Sequence, residues 1–77
     1  MSYRSSLRER AAGALRAEMA RQKKTSVDLA HALNISQSSA SRRMNGAGAI
    51  DLDEVQRWSD WLGVPVTYFF AETSVSA

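Results

Sequence analysis

Cysteine is absent from the 77 residues, which removes disulfide staples and thiolate metal sites and leaves no sign of an oxidising compartment. No apolar run approaches the ~20 residues of a membrane span, and the start MSYRSSLRER lacks the apolar stretch of a signal peptide. A cytoplasmic chain with no membrane contact is therefore expected. Histidine is almost absent too: His31 has no second His and no Cys for company, so it reads as a polar surface residue and no metal is expected. Also missing are a nucleophile–base pair, carboxylates paired in a cleft pattern and a glycine-rich phosphate loop, since Gly46 and Gly48 follow a helical segment instead of opening one after a strand. No catalytic residue, no cofactor and no small-molecule ligand is predicted.

A chain this short buries only ~60% of its unfolded surface, so it makes one small domain for which extra stability from a partner is expected. The domain spans residues 1–77, with order expected over about 5–70 and a frayed tail at 71–77. The formal net charge of +2 is unevenly placed. Residues 1–48 hold nine Arg and Lys against Glu9, Glu18 and Asp28, a net +6, whereas residues 49–77 hold Arg57 against five acids, a net −4. Such a split gives a basic face for a polyanion and an acidic face turned away from it.

Helix signals recur along the chain, and no segment keeps strand-like alternation, so the reading is all-α. Ser6 with Glu9 forms a capping box, followed by an apolar stripe of Leu7, Ala11, Ala14, Leu15 and Met19 to about Arg21. Thr25 with Asp28 forms a second box, opening a helix from Ser26 to Leu33. Asn34 stands where the chain must reverse, and Asn tolerates the left-handed conformation well. Ser36 then caps a third helix that runs to about Met44 and stops at Asn45-Gly46. A small-residue loop, Gly46 to Ala49, leads to a fourth helix. There Asp51 and Glu54 suggest a capping box, Ile50 and Val55 a hydrophobic staple, and Gly63 the stop. Pro65 suits the first position of a short last helix through about Phe70.

The segment from Thr25 to Gly46 carries most of the functional information. Its first helix has an apolar face of Val27, Leu29, Ala30 and Leu33. Its second presents Gln37, Ser38, Ser41 and Arg42 where a core helix would carry Leu or Ile. A helix this polar, joined to its neighbour by a tight turn, suits entry into the major groove of DNA.

With Leu29-Ala30, Leu33, Asn34-Ile35-Ser36, Ser41-Arg42 and Asn45-Gly46, followed by Val55, Trp58 and Leu62-Gly63-Val64, the chain resembles the Cro/repressor-type (Xre) helix-turn-helix regulators of bacteria and phages. The resemblance covers roughly Leu7 to Phe70. It implies a compact five-helix bundle of the lambda-repressor-like type, a home in the prokaryotic cytosol or nucleoid, and an operator bound by a homodimer on two-fold related half-sites. By position it implies base reading by Gln37, Ser38, Ser41 and Arg42, and phosphate contact by Ser26, Ser39 and Asn45.

Arg42 can offer two donors to guanine O6 and N7, and the Gln37 amide matches adenine. The remaining phosphate contacts are expected from Arg21, Lys23, Lys24 and Arg43, with Arg4 and Arg8 further out. The sequence departs from the family at Ser26, where Gln is frequent, at Ala40, where a larger aliphatic is frequent, and at Arg43, where an apolar residue is common. One arrangement reconciles them: Met44 turns inward beneath Ala40 and against Met19, and Arg43 is left to face phosphate.

Trp58, Trp61, Tyr68, Phe69 and Phe70 crowd the last third of the chain. Trp58 and Phe69 fit inward positions, while Trp61, Val66, Tyr68 and Phe70 form the expected dimer interface. A Cro-like repressor is the resulting expectation. The rival is a helical interaction module that uses the aromatic end to bind a toxin, a polymerase subunit or an antirepressor.

Overall fold

The computed structural model describes residues 6–47 and 50–71, and within them the chain is all helical. Four α-helices, α1 (Leu7–Arg21), α2 (Ser26–Leu33), α3 (Gln37–Met44) and α4 (Leu52–Leu62), precede a 3-10 helix at Val66–Phe70. The last helix is thus 3-10 and not α, and Pro65 stands just ahead of it in an extended conformation. The expected tail beyond Ala71, the loop residues Gly48 and Ala49 and the outer contact at Arg4 lie outside the described residues.

Each α-helix starts where a short polar side chain meets a free amide. Ser6 and Thr25 close full capping boxes with Glu9 and Asp28, and the Ser36 hydroxyl accepts from the Ser39 amide at 3.1 Å. At α4 only half of the predicted box forms: Asp51 Oδ1 accepts from the Glu54 amide at 2.8 Å. The Glu54 carboxylate is drawn elsewhere, to Arg43 at 2.8 Å.

The helices end by left-handed residues. Asn34 closes α2 with φ 58° and ψ 49°, which lets the Ile35 amide reach back to the Ala30 carbonyl at 3.0 Å. Lys23, at φ 60°, does the same after α1, where the Lys24 amide bonds the Met19 carbonyl at 2.8 Å. Gly46, at φ 74°, ends α3, and a Cβ placed there would stand 3.4 Å from the Glu9 backbone. That position therefore favours glycine for its left-handed conformation, while a Cβ there would only touch α1.

One core holds the helices together. Leu15, Met19, Leu29, Val55, Trp58 and Phe69 are its largest fully buried side chains. Trp58 and Phe69 meet edge-on at 5.5 Å between ring centroids, which anchors the 3-10 helix as the sequence suggested. Ala40 is the buried residue of α3 and is wholly inaccessible, so α2 and α3 pack closely across a side chain with no bulk. Met44 packs partly buried against the cluster that contains Met19 and Ala40, in keeping with an inward turn. Two stripe positions are corrected: Leu7, in the first turn of α1, is 60% exposed, and Val27, in the first turn of α2, is 45% exposed.

Candidate nucleic-acid interface

The outward face of α3 is built by exclusion. Ala40 is buried and Arg43 and Met44 are half-covered, which leaves Gln37, Ser38, Arg42 and Asn45 exposed with Ser41 partly so. Positions i, i+1, i+4, i+5 and i+8 share one side of a helix, so these five form a continuous stripe. No acidic residue occurs in α3.

The front of this helix is tied to the front of α2. Gln37 Nε2 donates to Ser26 Oγ at 3.2 Å, and this uses one of the two amide hydrogens while Oε1 keeps its acceptor capacity. Its rear is tied to α1, where the Arg16 guanidinium donates to the Met44 carbonyl. The helix is therefore held at both ends, at the front through Gln37 of the stripe itself and at the rear through a backbone carbonyl.

Arg43 departs from expectation. Its Nε donates to Glu54 Oε2 at 2.8 Å and a terminal nitrogen reaches the Ser39 carbonyl at 3.4 Å. The side chain is 27% exposed, and its Nε joins α3 to α4. The two long side chains span from α3 to α4, a pairing that periodicity does not reveal.

The other cations are unevenly disposed. Lys23 is exposed at the left-handed end of α1. Arg21 is exposed but holds both Glu18 carboxylate oxygens at 3.1 Å. Lys24 places Nζ 5.2 Å from the centre of the Trp61 ring, a cation–π contact. Ser26 and Ser39 are half-buried, and Asn45 is exposed.

A polar cluster missed in the sequence sits at the end of α1. Buried Glu18 receives Arg21 and also Gln22 Nε2 at 2.8 Å, and Gln22 in turn bonds the Leu62 carbonyl at 2.8 Å. The Arg21 and Gln22 hydrogen bonds hold the Glu18 carboxyl below its ordinary range. Burial, together with the nearby Glu18 charge, pushes the Tyr68 phenol up. The i, i+3 spacing of Glu18 and Arg21 was the available signal for part of this cluster.

Of the four residues expected to form the dimer interface, Trp61 and Phe70 open onto different grooves. Trp61 lines a groove between α2 and α4 with Lys24, His31 and Asp60, and Tyr68 packs on Phe69 at 5.4 Å. Val66 is partly buried against the core, and Phe70 faces a different groove beside Leu7. Trp61 belongs to α4, and Val66, Tyr68 and Phe70 belong to the 3-10 helix.

A capped α2, a left-handed Asn34 turn and a polar α3 standing outward define a helix-turn-helix DNA-binding domain. A helix-turn-helix family model matches residues 15–69. The chain belongs to that family, the Cro/repressor-type (Xre) helix-turn-helix proteins, which makes it a DNA-binding transcriptional regulator. No curated protein and no solved structure matches it. Among the described residues no helix is long and apolar enough to cross a membrane.

Proposed function

We propose that this chain is a Cro-like repressor that reads a two-fold symmetric operator as a dimer, with α3 in the major groove. The observation that carries this reading is the outward stripe of Gln37, Ser38, Ser41 and Arg42, with Gln37 braced on Ser26. Arg42 donates to guanine and Gln37 pairs with adenine, each good bidentate contact giving ~1–3 kcal/mol of discrimination. Ser38 and Ser41 are short enough to let the helix sit deep. Lys23 and Asn45 grip phosphate, with Ser26, Ser39 and Arg21 supporting them. Repression follows from occlusion, since a bound dimer covers a promoter element.

The test is selection from a random DNA pool, followed by titrations of the winner and a scrambled site with the wild-type and Arg42→Ala proteins at several salt concentrations. A two-fold symmetric winner is expected, with Arg42→Ala relaxing preference at one base pair of each half-site. A pool with no enriched motif would remove the specific-repressor reading, and an Arg42→Ala protein with unchanged base preference would remove that residue's role.

A further inference from the structure

The last carbonyls of a helix find no partner within it and must be met from outside. At the end of α3 the following chain meets three of them. The Asn45 amide bonds the Ser41 carbonyl at 3.1 Å, the Ala47 amide bonds that of Arg42 at 2.9 Å, and the Gly46 amide bonds that of Arg43 at 3.2 Å. The next carbonyl, of Met44, takes no backbone amide among the described residues. Its partner is the Arg16 guanidinium of α1, 28 residues away in sequence.

Arg16 reaches this carbonyl by lying back along α1. Helical side chains lean toward the N-terminus, which carries Arg16 over the turn that holds Gly13. A Cβ built on Gly13 would meet Arg16 Nη2 at 3.8 Å, an ordinary contact. The side chain is exposed and stands outside the core. A cation at this place also faces the negative end of the α3 dipole, which favours the contact.

The Met44 carbonyl follows Arg42 by two residues, so the tie acts on the rear of the reading stripe, where Ser41, Arg42 and Asn45 stand. The front is governed separately by the bond between Gln37 and Ser26. We infer that Arg16 is a positioning residue for base reading: it fixes the rear of α3 so that Arg42 meets its base pair, and does not itself touch DNA. This role rests on the operator reading above.

The experiment starts from the selected operator and two altered forms, one changed at the base pair read by Arg42 and one at that read by Gln37, as located with Arg42→Ala and Gln37→Ala. Each is titrated with wild type, Arg16→Met and Arg16→Lys at several salt concentrations, and the Met44 carbonyl carbon shift is followed by NMR without DNA. Arg16→Met should move that shift and lower discrimination at the Arg42 base pair about three- to tenfold, with discrimination at the Gln37 base pair kept. Arg16→Lys, which retains a donor and the charge, should restore part of it. Adding Gly13→Ala to Arg16→Met raises thermal stability, because alanine favours the helix. A defect that persists in this background is one of position, and one that disappears is a stability effect and overturns the inference. Equal losses at both base pairs overturn it too, as does an unmoved Met44 shift. So does a salt slope flattened by ~0.9 with discrimination intact, the mark of a direct phosphate contact. A random pool with no enriched motif removes the operator reading and this role with it. An enriched motif whose Arg42 base pair is indifferent to Arg16→Met removes this role alone.

Discussion

Gln37 and Ser26 meet through one hydrogen bond of 3.2 Å, and that bond decides which way a reading amide faces. Many relatives place a longer Gln where Ser26 stands, so here the brace is shorter and leaves the hydroxyl as its only contact. Ser26→Ala should relax discrimination at the base pair read by Gln37 by about 0.5–1.5 kcal/mol, the usual net worth of such a bond. Affinity for scrambled DNA should change little, and paired titrations check both numbers. Lys23 presents the opposite case, a residue held at φ 60° without glycine's freedom. Lys23→Gly should raise stability by up to about 1 kcal/mol in thermal unfolding, as the left-handed strain is relieved against glycine's entropy loss. If Lys23 contacts phosphate, the same variant should flatten the log–log salt dependence of DNA binding by ~0.9. A strained lysine that helps hold DNA would be a place where function is kept at the expense of stability.

At the scale of the element, α3 is placed by its neighbours more than by its own sequence. Ala40 is its one fully buried residue and Met44 is partly covered, and the ties to Ser26, Arg16 and Glu54 add to that small apolar contact. The Arg43–Glu54 pair is the most covered of these, with side-chain exposures of 27% and 11%. Arg43→Met or Glu54→Gln alone should each cost about 1–3 kcal/mol, because the surviving partner keeps its desolvation cost. The double variant should recover part of the loss, which a double-mutant cycle in urea would measure. Arg43→Met should also leave the salt slope of DNA binding unchanged, in contrast to Lys23→Gly.

The helix starts at Ser6, Thr25 and Ser36 were legible because a cap acts within one turn, and the reversal at Asn34 because few residues tolerate that backbone. The reading stripe was legible because its polarity contradicts a core. The fate of Arg43 was not, since a long side chain chooses between solvent, phosphate and a distant carboxylate by the position of another helix. Glu54 misled for the same reason: its spacing from Asp51 fitted a local role that a stronger charged partner displaced. The placing of Trp61 and Phe70 on different grooves was not legible, because aromatic residues nine apart, across a turn, carry no common face in their spacing.

The whole molecule is closed at one end by Glu18, which gathers Arg21 and Gln22 of α1 while Gln22 reaches the last carbonyl of α4. The Glu18 carboxyl is held below the ordinary value of 4.5, first by Arg21 and then by Gln22. A carboxyl depressed in the folded state contributes stability that is fully present above its unfolded value and is lost as the pH falls through its folded one. Acid should therefore loosen the protein from about pH 4.5 downward, and Glu18→Gln should flatten that limb of a stability–pH curve. Asp28, depressed by the Thr25 backbone and hydroxyl, acts in the same direction and leaves a residual slope in that variant.

The two tryptophans lie three residues apart and in unlike surroundings. Trp58 is fully buried, and its indole nitrogen finds no hydrogen-bond partner among the described residues. Trp61 is partly open to water beneath the Lys24 ammonium. The molecule thus carries two built-in fluorophores: one emits from an apolar interior and shifts to longer wavelength when the core opens, and the other lies by a neighbouring cation on the rim of a groove. Replacing either ring by phenylalanine would leave a single-colour reporter, so that global melting and local events at the α2–α4 surface could be watched separately in one cuvette.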